Sequence, residues 1–309
     1  MKKVIAVIGS SNTDLVIQTE KFPQPGETVI GGEFSTFAGG KGANQAVAAA
    51  RLGGDVFFIA RVGNDGFGEE SIKGFLKDNI HTKYVFKDDN YPTGVASIII
   101  DDSGQNTIVV APGANNQLSV ADIDKSIDSI KKASIVLIQL EISMNTVRYV
   151  LNKLFDLGKR VILNPAPAQK IEDSLYSKIY LITPNETEAF LLSGVKVNST
   201  KSASKAADVF IEKGVKNVIV TMGEKGAFFK NAKEQFHIPA NKVHVKDTTA
   251  AGDIFNGALA VARAEGRNWK EAILFANAAS AIGVSRLGAQ ASVPYRKEIE
   301  NIEIKNDQL

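Results

Sequence analysis

Residues 247–259 read Asp247-Thr-Thr-Ala-Ala-Gly-Asp253-Ile-Phe-Asn-Gly-Ala-Leu. Three small residues, Ala250, Ala251 and Gly252, lead into an acid. Beyond it Ile254, Phe255, Ala258, Leu259 and Ala262 recur at helical spacing. The pattern predicts a helix over 252–265, stopped by Gly266, with Asp253 in its first turn. The free N–H groups of such a bend, together with the positive helix end, form a site for an anion. A carboxylate beside that site suits a base that deprotonates a hydroxyl while the pocket holds a phosphoryl group. An acid capping a helix is the commoner role for Asp253 taken alone.

A second run, Gly39-Gly40-Lys41-Gly42-Ala43-Asn44, precedes an alanine-rich stretch ending in Leu52-Gly53-Gly54. Glycines let backbone approach a ligand closely, although a tight turn with close helix packing explains them equally well. It is not a Walker A loop, because Gly42 follows Lys41 where Ser or Thr is required. No G-x-G-x-x-G follows the first apolar run, which disfavours a nicotinamide dehydrogenase. Asn12 and Asp14 follow that run directly and make a plausible clamp for vicinal hydroxyls, with an Asx turn as the ordinary alternative. Glu141, after the run Ile135–Leu140, is a further hydroxyl acceptor or an exposed loop acid. Asn185 and Glu188 could hold the waters of a magnesium ion near phosphates, or form a helix cap. Thr221-Met222-Gly223-Glu224-Lys225-Gly226 could wrap a nucleotide, or turn into a hairpin at Ala227–Phe229. The three histidines have no ligand spacing and no nucleophile elbow is present.

Short apolar runs that must position these residues alternate with helical patterns. Val4–Ile8, Val56–Ala60, Ile135–Leu140, Val161–Leu163, Ile179–Ile182 and Val218–Thr221 read as buried strands. Helices are expected near 43–52, 67–78, 119–132, 145–157, 186–193, 202–213, 252–265 and 269–285. The fold class is α/β: a mostly parallel, Rossmann-like central sheet flanked by helices, with ligands at the carboxyl ends of its strands. Two segments break the rhythm, 14–38 and 93–110. The first carries the short pieces Leu15–Gln18, Glu27–Gly31 and Glu33–Phe37; the second is a hairpin, Val95–Ile100 and Thr107–Val110. They are read as one small inserted β-sheet, a lid over a core of 1–13, 39–92 and 111–309. The polar tail 298–309 is expected to fray. The 309 residues carry a net charge of +2 and no cysteine. Near-neutral balance argues against a nucleic-acid or membrane partner, and cysteine chemistry is excluded. After the opening Met1-Lys2-Lys3 the apolar run is too short for a signal peptide, so a cytoplasmic location is expected.

Taken together, Asn12-Thr13-Asp14, Gly39–Asn44, Glu141, Asn185–Glu188, Thr221–Gly226, Asp247–Asp253 and Asn277 resemble the PfkB-type carbohydrate kinase family across nearly the whole chain. Ile142-Ser143 departs from a pattern that has a proline nearby. The resemblance implies ATP-dependent phosphorylation of D-ribose to ribose 5-phosphate. Asn12, Thr13, Asp14, Gly40–Asn44 (with Lys41, Gly42 and Ala43) and Glu141 would hold the sugar. Asn185, Thr221–Gly226, Gly252, Asp253 and Asn277 would hold ATP. Ala250, Ala251 and Gly252 would form the anion hole and Asp253 would be the base. The resemblance further implies Mg²⁺ bound through water at Glu188. A monovalent cation, K⁺, is implied at Asp247, Thr249, Gly283, Arg286, Gly288 and Ser292, as is a homodimer through the lid. Deoxyribose, fructose or a nucleoside such as adenosine remain open as substrates, as does a sugar-binding regulator without chemistry.

Overall fold

The computed structural model describes residues 3–300. Met1 and Lys2, and residues 301–309 of the tail expected to fray, lie outside the described residues. In chain order the strands are β1 (Val4–Ile8), β2 (Asn12–Gln18), β3 (Glu33–Gly39), β4 (Asp55–Gly63), β5 (His81–Asp88), β6 (Gly94–Ile100), β7 (Asn106–Ala111), β8 (Ile135–Ile138), β9 (Val161–Leu163), β10 (Leu181–Ile182), β11 (Asn217–Thr221), β12 (Ala227–Asn231) and β13 (Gln235–Ile238). The α-helices are α1 (Lys41–Arg51), α2 (Gly66–Lys77), α3 (Val120–Lys132), α4 (Met144–Asp156), α5 (Asp173–Tyr176), α6 (Glu186–Ser193), α7 (Thr200–Glu212), α8 (Ala251–Ala264) and α9 (Trp269–Val284).

Nine strands form the main sheet in the order β13-β12-β11-β10-β9-β8-β1-β4-β5. From β11 to β5 every pairing is parallel; β12 and β13 close one edge antiparallel. Alternation of side chains along β1 splits the core in two. Ile5 and Val7 join the cluster under α1, α2, α8 and α9, while Ala6 and Ile8 join the one under α3, α4, α5 and α7. Burial on both faces is what an almost unbroken apolar run demands. Among the described residues no helix is long and apolar enough to cross a membrane.

The second sheet has the order β3-β2-β6-β7, antiparallel except for β2 against β6. Asn12 lies in register with both Gly39 and Gly94, and Ala111 with Val95, so the four crossings between the core and this sheet meet at one end of it. The sheet therefore takes in Asn12 and Thr13 and runs to Gly39 and Ala111, slightly beyond the segments read from the sequence. Ile17, Phe34 and Val109 are exposed on one of its faces, and Phe37, Ile108 and Val110 on the other, the face of Asp14.

Three differences from the sequence reading have local causes. Glu27–Gly31 forms no strand: Pro23 and Pro25 lack amide donors, and Glu27 pairs with Lys21 and accepts from the Gln24 amide, which makes a turn. β5 went unread because its mixed pattern, exposed at both His81 and Lys83, is that of a sheet edge. Ala227–Phe229, weighed only as the far side of a turn, belongs to strand β12.

Helices α1 and α8 pack unusually close because α1 is lined with alanines and α8 turns Gly257 toward it. A Cβ on Gly257 would lie 2.6 Å from the Ala48 Cβ and 2.8 Å from the Gln45 carbonyl oxygen. Backbone lies behind that contact, so a side chain there must push the helices apart. Gly257→Ala is expected to destabilise the protein by about 1–3 kcal/mol, read as a fall in thermal midpoint on the scale of about 2–4 °C per kcal/mol. An unchanged midpoint in differential scanning calorimetry would mean that the α1–α8 contact yields easily.

Candidate active site

Asp253 sits in the first turn of α8, 6 % exposed, at the contact with α1. Each carboxylate oxygen accepts one amide from α1: Asn44 Nδ2 donates to Oδ2 at 3.0 Å and Gln45 Nε2 to Oδ1 at 3.0 Å. Burial pushes its pKa up, and Lys41, Asn44 and Gln45 oppose that rise. Ala250, just ahead, has φ 59°, left-handed for a residue with a Cβ. Such strain is of order 1–3 kcal/mol and lies where the chain bends into the helix. The amides of Gly252 and Asp253 fall in the first turn, where no intrahelical acceptor exists. They line a cavity of about 180 Å³ together with Lys41, Asn185, Glu188, Thr221, Ala250 and Ala251. A carboxylate, an ammonium and unpaired amides thus share one small space, which can take an anion and a proton.

Helix α1 begins at that space because Gly39 and Gly40 let the chain pass over β2. Gly40 has φ 88°, and a Cβ on it would strike the Asn12 amide at 2.6 Å. A Cβ on Gly39 would lie 2.3 Å from the Asp14 carboxylate, which therefore rests on bare backbone. Glu141 anchors the start of the helix: its Oε2 accepts from Ser10 Oγ at 2.6 Å and from the Lys41 amide at 3.0 Å. Asn12 is held by Asn115, whose Nδ2 donates to its Oδ1 at 2.7 Å. Asn12 and Glu141 line a cavity of about 340 Å³ on the small-sheet side. The larger cavity of about 570 Å³, beside Asp65, Phe67 and Thr93, contains none of the residues singled out from the sequence.

Asn185 and Glu188 form a reciprocal cap on α6, the alternative weighed for them, and they also face the Asp253 cavity. Burial raises the pKa of Glu188, against the Asn185 amide and Lys41. Thr221 ends β11, its amide bonded to the Pro184 carbonyl at 3.0 Å. Met222 receives the turn through a 2.7 Å bond to Gly226, with Gly223–Lys225, including Glu224, as one helical turn between them. Asn277, on α9, donates to the Pro239 carbonyl at 3.1 Å, beside the backbone that crowds Gly226. Asp247 accepts from the Thr249 amide at 2.8 Å and the Gly288 amide at 2.9 Å. Burial raises its pKa, but these bonds outweigh burial and hold it low. Gly283 and Ser292 approach one another, and the Arg286 side chain pairs with Glu298, leaving only its carbonyl for any ion. Asn277, Asp247, Thr249, Gly283, Arg286, Gly288 and Ser292 do not line the Asp253 cavity.

The sequence reading passed over Gln45, Gln139, Asn164, Thr183 and Asn256. All five are buried polar residues, linked in series by hydrogen bonds of which the one from Asn164 goes to the Thr183 carbonyl, and Asn164, Thr183 and Asn256 line the Asp253 cavity. The available signal was a glutamine inside an alanine helix and another closing an apolar strand.

Residues 2–296 match the model of the pfkB family carbohydrate kinases. A ribokinase of Haemophilus influenzae is 44 % identical over 298 residues, covering 96 % of this chain and 97 % of that protein. A deoxyribokinase of Salmonella typhi is 39 % identical over 295 residues, covering 94 % and 95 %. The structure of Arabidopsis thaliana ribokinase complexed with ribose and ATP is 34 % identical, with a TM-score of 0.90 and coverage of 98 % and 99 %. The chain belongs to the pfkB family of carbohydrate kinases.

Asp14 carries a pKa raised from 3.8 to about 6, first by burial, then by Glu141 and Asp253, against Lys41. Ionising it in the folded protein is disfavoured, so its contribution to stability is greatest below pH 4 and is lost as pH rises through 6. Asp14→Asn is expected to raise the thermal midpoint of the ligand-free protein at pH 8, and the gain should vanish at pH 4. A variant no more stable than the parent at pH 8 would show that the carboxylate is well solvated.

Proposed function

We propose that this protein phosphorylates D-ribose at O5 with ATP, giving ribose 5-phosphate and ADP, with Asp253 as the general base. The observation that carries this reading is a buried carboxylate beside unpaired first-turn amides in a cavity that also holds Lys41. Asp14, Asn12 and Glu141, with the Gly39–Asn44 backbone and Thr13 nearby, offer acceptors and amides to the sugar hydroxyls. The hydroxyl to be phosphorylated would give its proton to Asp253. The amides of Gly252 and Asp253, shaped by Ala250 and Ala251, and Lys41 would receive the charge of the transferring phosphoryl group. Phosphoryl transfer is mostly positioning and charge stabilisation, so these groups suffice in kind. Asn185, Thr221–Gly226 and Asn277 would bound the nucleotide.

Asp14, Glu141, Glu188 and Asp253 surround the single ammonium of Lys41. That excess of negative charge suits a divalent cation, and Glu188 would hold Mg²⁺ through its waters. When bound, the ion offsets charge on the phosphates. Asp247, kept ionised, and the oxygen-rich loop 283–292 make a donor set suited to a hard cation such as K⁺. The exposed apolar side chains of the small sheet, present on both its faces, suit a second copy of this chain, and a homodimer through this sheet is proposed.

The similarity to a deoxyribokinase keeps a second reading in play, a 2-deoxy sugar. Charged hydrogen bonds are worth about 1.5–3 kcal/mol, so an Asp14 that binds the 2-hydroxyl favours ribose. ADP release measured over ribose, deoxyribose, fructose and adenosine should give ribose the highest kcat/KM; an equal or better deoxyribose would overturn the substrate assignment. Asp253→Asn should lower kcat by about 10²–10⁴-fold with ribose and ATP binding preserved in titration calorimetry. Near-normal turnover would reduce Asp253 to a helix-capping acid. Rates in matched K⁺, Na⁺ and tetramethylammonium chlorides should be highest in K⁺, and equal rates would remove the cation site.

A further inference from the structure

Gln45 is fully buried, one residue after the Asn44 that also touches Asp253. Its Nε2 has two hydrogens and two acceptors: Asp253 Oδ1 at 3.0 Å and Asn164 Oδ1 at 3.0 Å. Its Oε1 accepts from Gln139 Nε2 at 2.6 Å. Gln139, also fully buried, closes the end of β8. These partners permit one orientation. If the Gln45 amide turned over, its oxygen would face two other oxygens, and its nitrogen would face the donor of Gln139. The chain of amides has a definite direction, Gln139 to Gln45 to Asp253.

That direction leaves an oxygen stranded. Gln139 Oε1 is buried without a hydrogen-bond partner, and so is Asn44 Oδ1 on the other arm of the carboxylate. Buried polar atoms without partners are uncommon and destabilising. Asn44 Oδ1 lies behind the N–H aimed at Asp253, and Gln139 Oε1 behind the N–H aimed at Gln45. Apolar side chains at 45 and 139 would remove the stranded Gln139 oxygen, but only by taking from Asp253 Oδ1 its side-chain donor.

We propose that Gln45, held in orientation by Gln139, is a positioning residue for Asp253. It fixes one carboxylate oxygen and favours the ionised base, without bringing a second charge to the site. The inference rests on the reading of Asp253 as the base. The charged groups around Asp253 are Lys41 on α1, Glu141 after β8, Asp14 on β2 and Glu188 on α6. None of them hydrogen-bonds Asp253, so the two amides are the only side-chain donors that reach it among the described residues. The opposition of Gln45 to the burial-driven rise in the Asp253 pKa has the sign the proposal needs.

The test compares Gln45→Met, Gln139→Met, the double variant and Asp253→Asn over a pH series, with ribose and ATP titrated at each pH. Gln45→Met should lower kcat by about tenfold or more, leave both KM values within about threefold, and move the acid limb of the kcat profile to higher pH by about one unit, the equivalent of about 1.4 kcal/mol. Gln139→Met should move the limb the same way by less. The double variant should be no worse than Gln45→Met, because the two residues act through one hydrogen-bonded chain. A wild-type kcat and profile in Gln45→Met, beside an inactive Asp253→Asn, would overturn the proposal and spare the base. An active Asp253→Asn would overturn the base reading itself. A loss of kcat without movement of the limb, additive between the two positions, would mark Gln45 as structural only and overturn the proposal. Should Gln45→Met not fold, the limb in Gln139→Met decides by the same criteria.

Discussion

A carboxylate taken out of water must be met by hydrogen bonds, and the site is arranged around how Asp253 meets that demand. Its two oxygens are bonded by consecutive residues of α1, so α1 and α8 must lie at one distance and one rotation. Alanines along α1 and Gly257 on α8 allow that distance. Glu141 and Ser10 fix where α1 begins, and hence the height of Asn44 and Gln45 above the sheet. A misplacement of either helix would leave a buried charge without donors, which is far more costly than a lost apolar contact.

The same constraint links the site to the small sheet. Gly39 and Gly40 lead from β3 directly into α1, and Asp14 lies against Gly39. The acid that would bind sugar and the helix that holds the base are therefore joined by two residues of backbone. Asn115, bonded to Ser11 and Asn12, ties the same crossing to the core. A movement of the small sheet would be felt first at Asp14 and the start of α1, and closing it would draw water away from Asp253.

The parallel sheet was legible because β1, β8, β9 and β11 are short apolar runs that no amphipathic edge could use. The Asp253 turn and the glycine runs stood out in the sequence because a close approach of backbone to a ligand needs small residues. What escaped reading depends on distant parts of the chain. β5 gains its place by lying beside β4, and its own pattern is ambiguous. Asn12 reads as a hydroxyl clamp or an Asx turn after β1; that it begins β2, in register with Gly39 and Gly94, depends on distant parts of the chain. Gln45, Gln139, Asn164 and Thr183 are ordinary polar residues in sequence, and their meaning comes from distances across separate elements. Asn185 and Glu188 were read both as holders of Mg²⁺ waters near phosphates and as a helix cap; the structure shows the cap, at a position that lines the Asp253 cavity.

In the proposed reaction a sugar hydroxyl reaches Asp253 while phosphate reaches the amides at the start of α8. A crystal structure with ribose and a non-hydrolysable ATP analogue tests it most directly. Ribose O5 is expected within about 2.6–3.2 Å of an Asp253 carboxylate oxygen, with the terminal phosphate against the Gly252 and Asp253 amides. Ribose bound with O5 turned away from Asp253, or phosphate seated elsewhere, would contradict it.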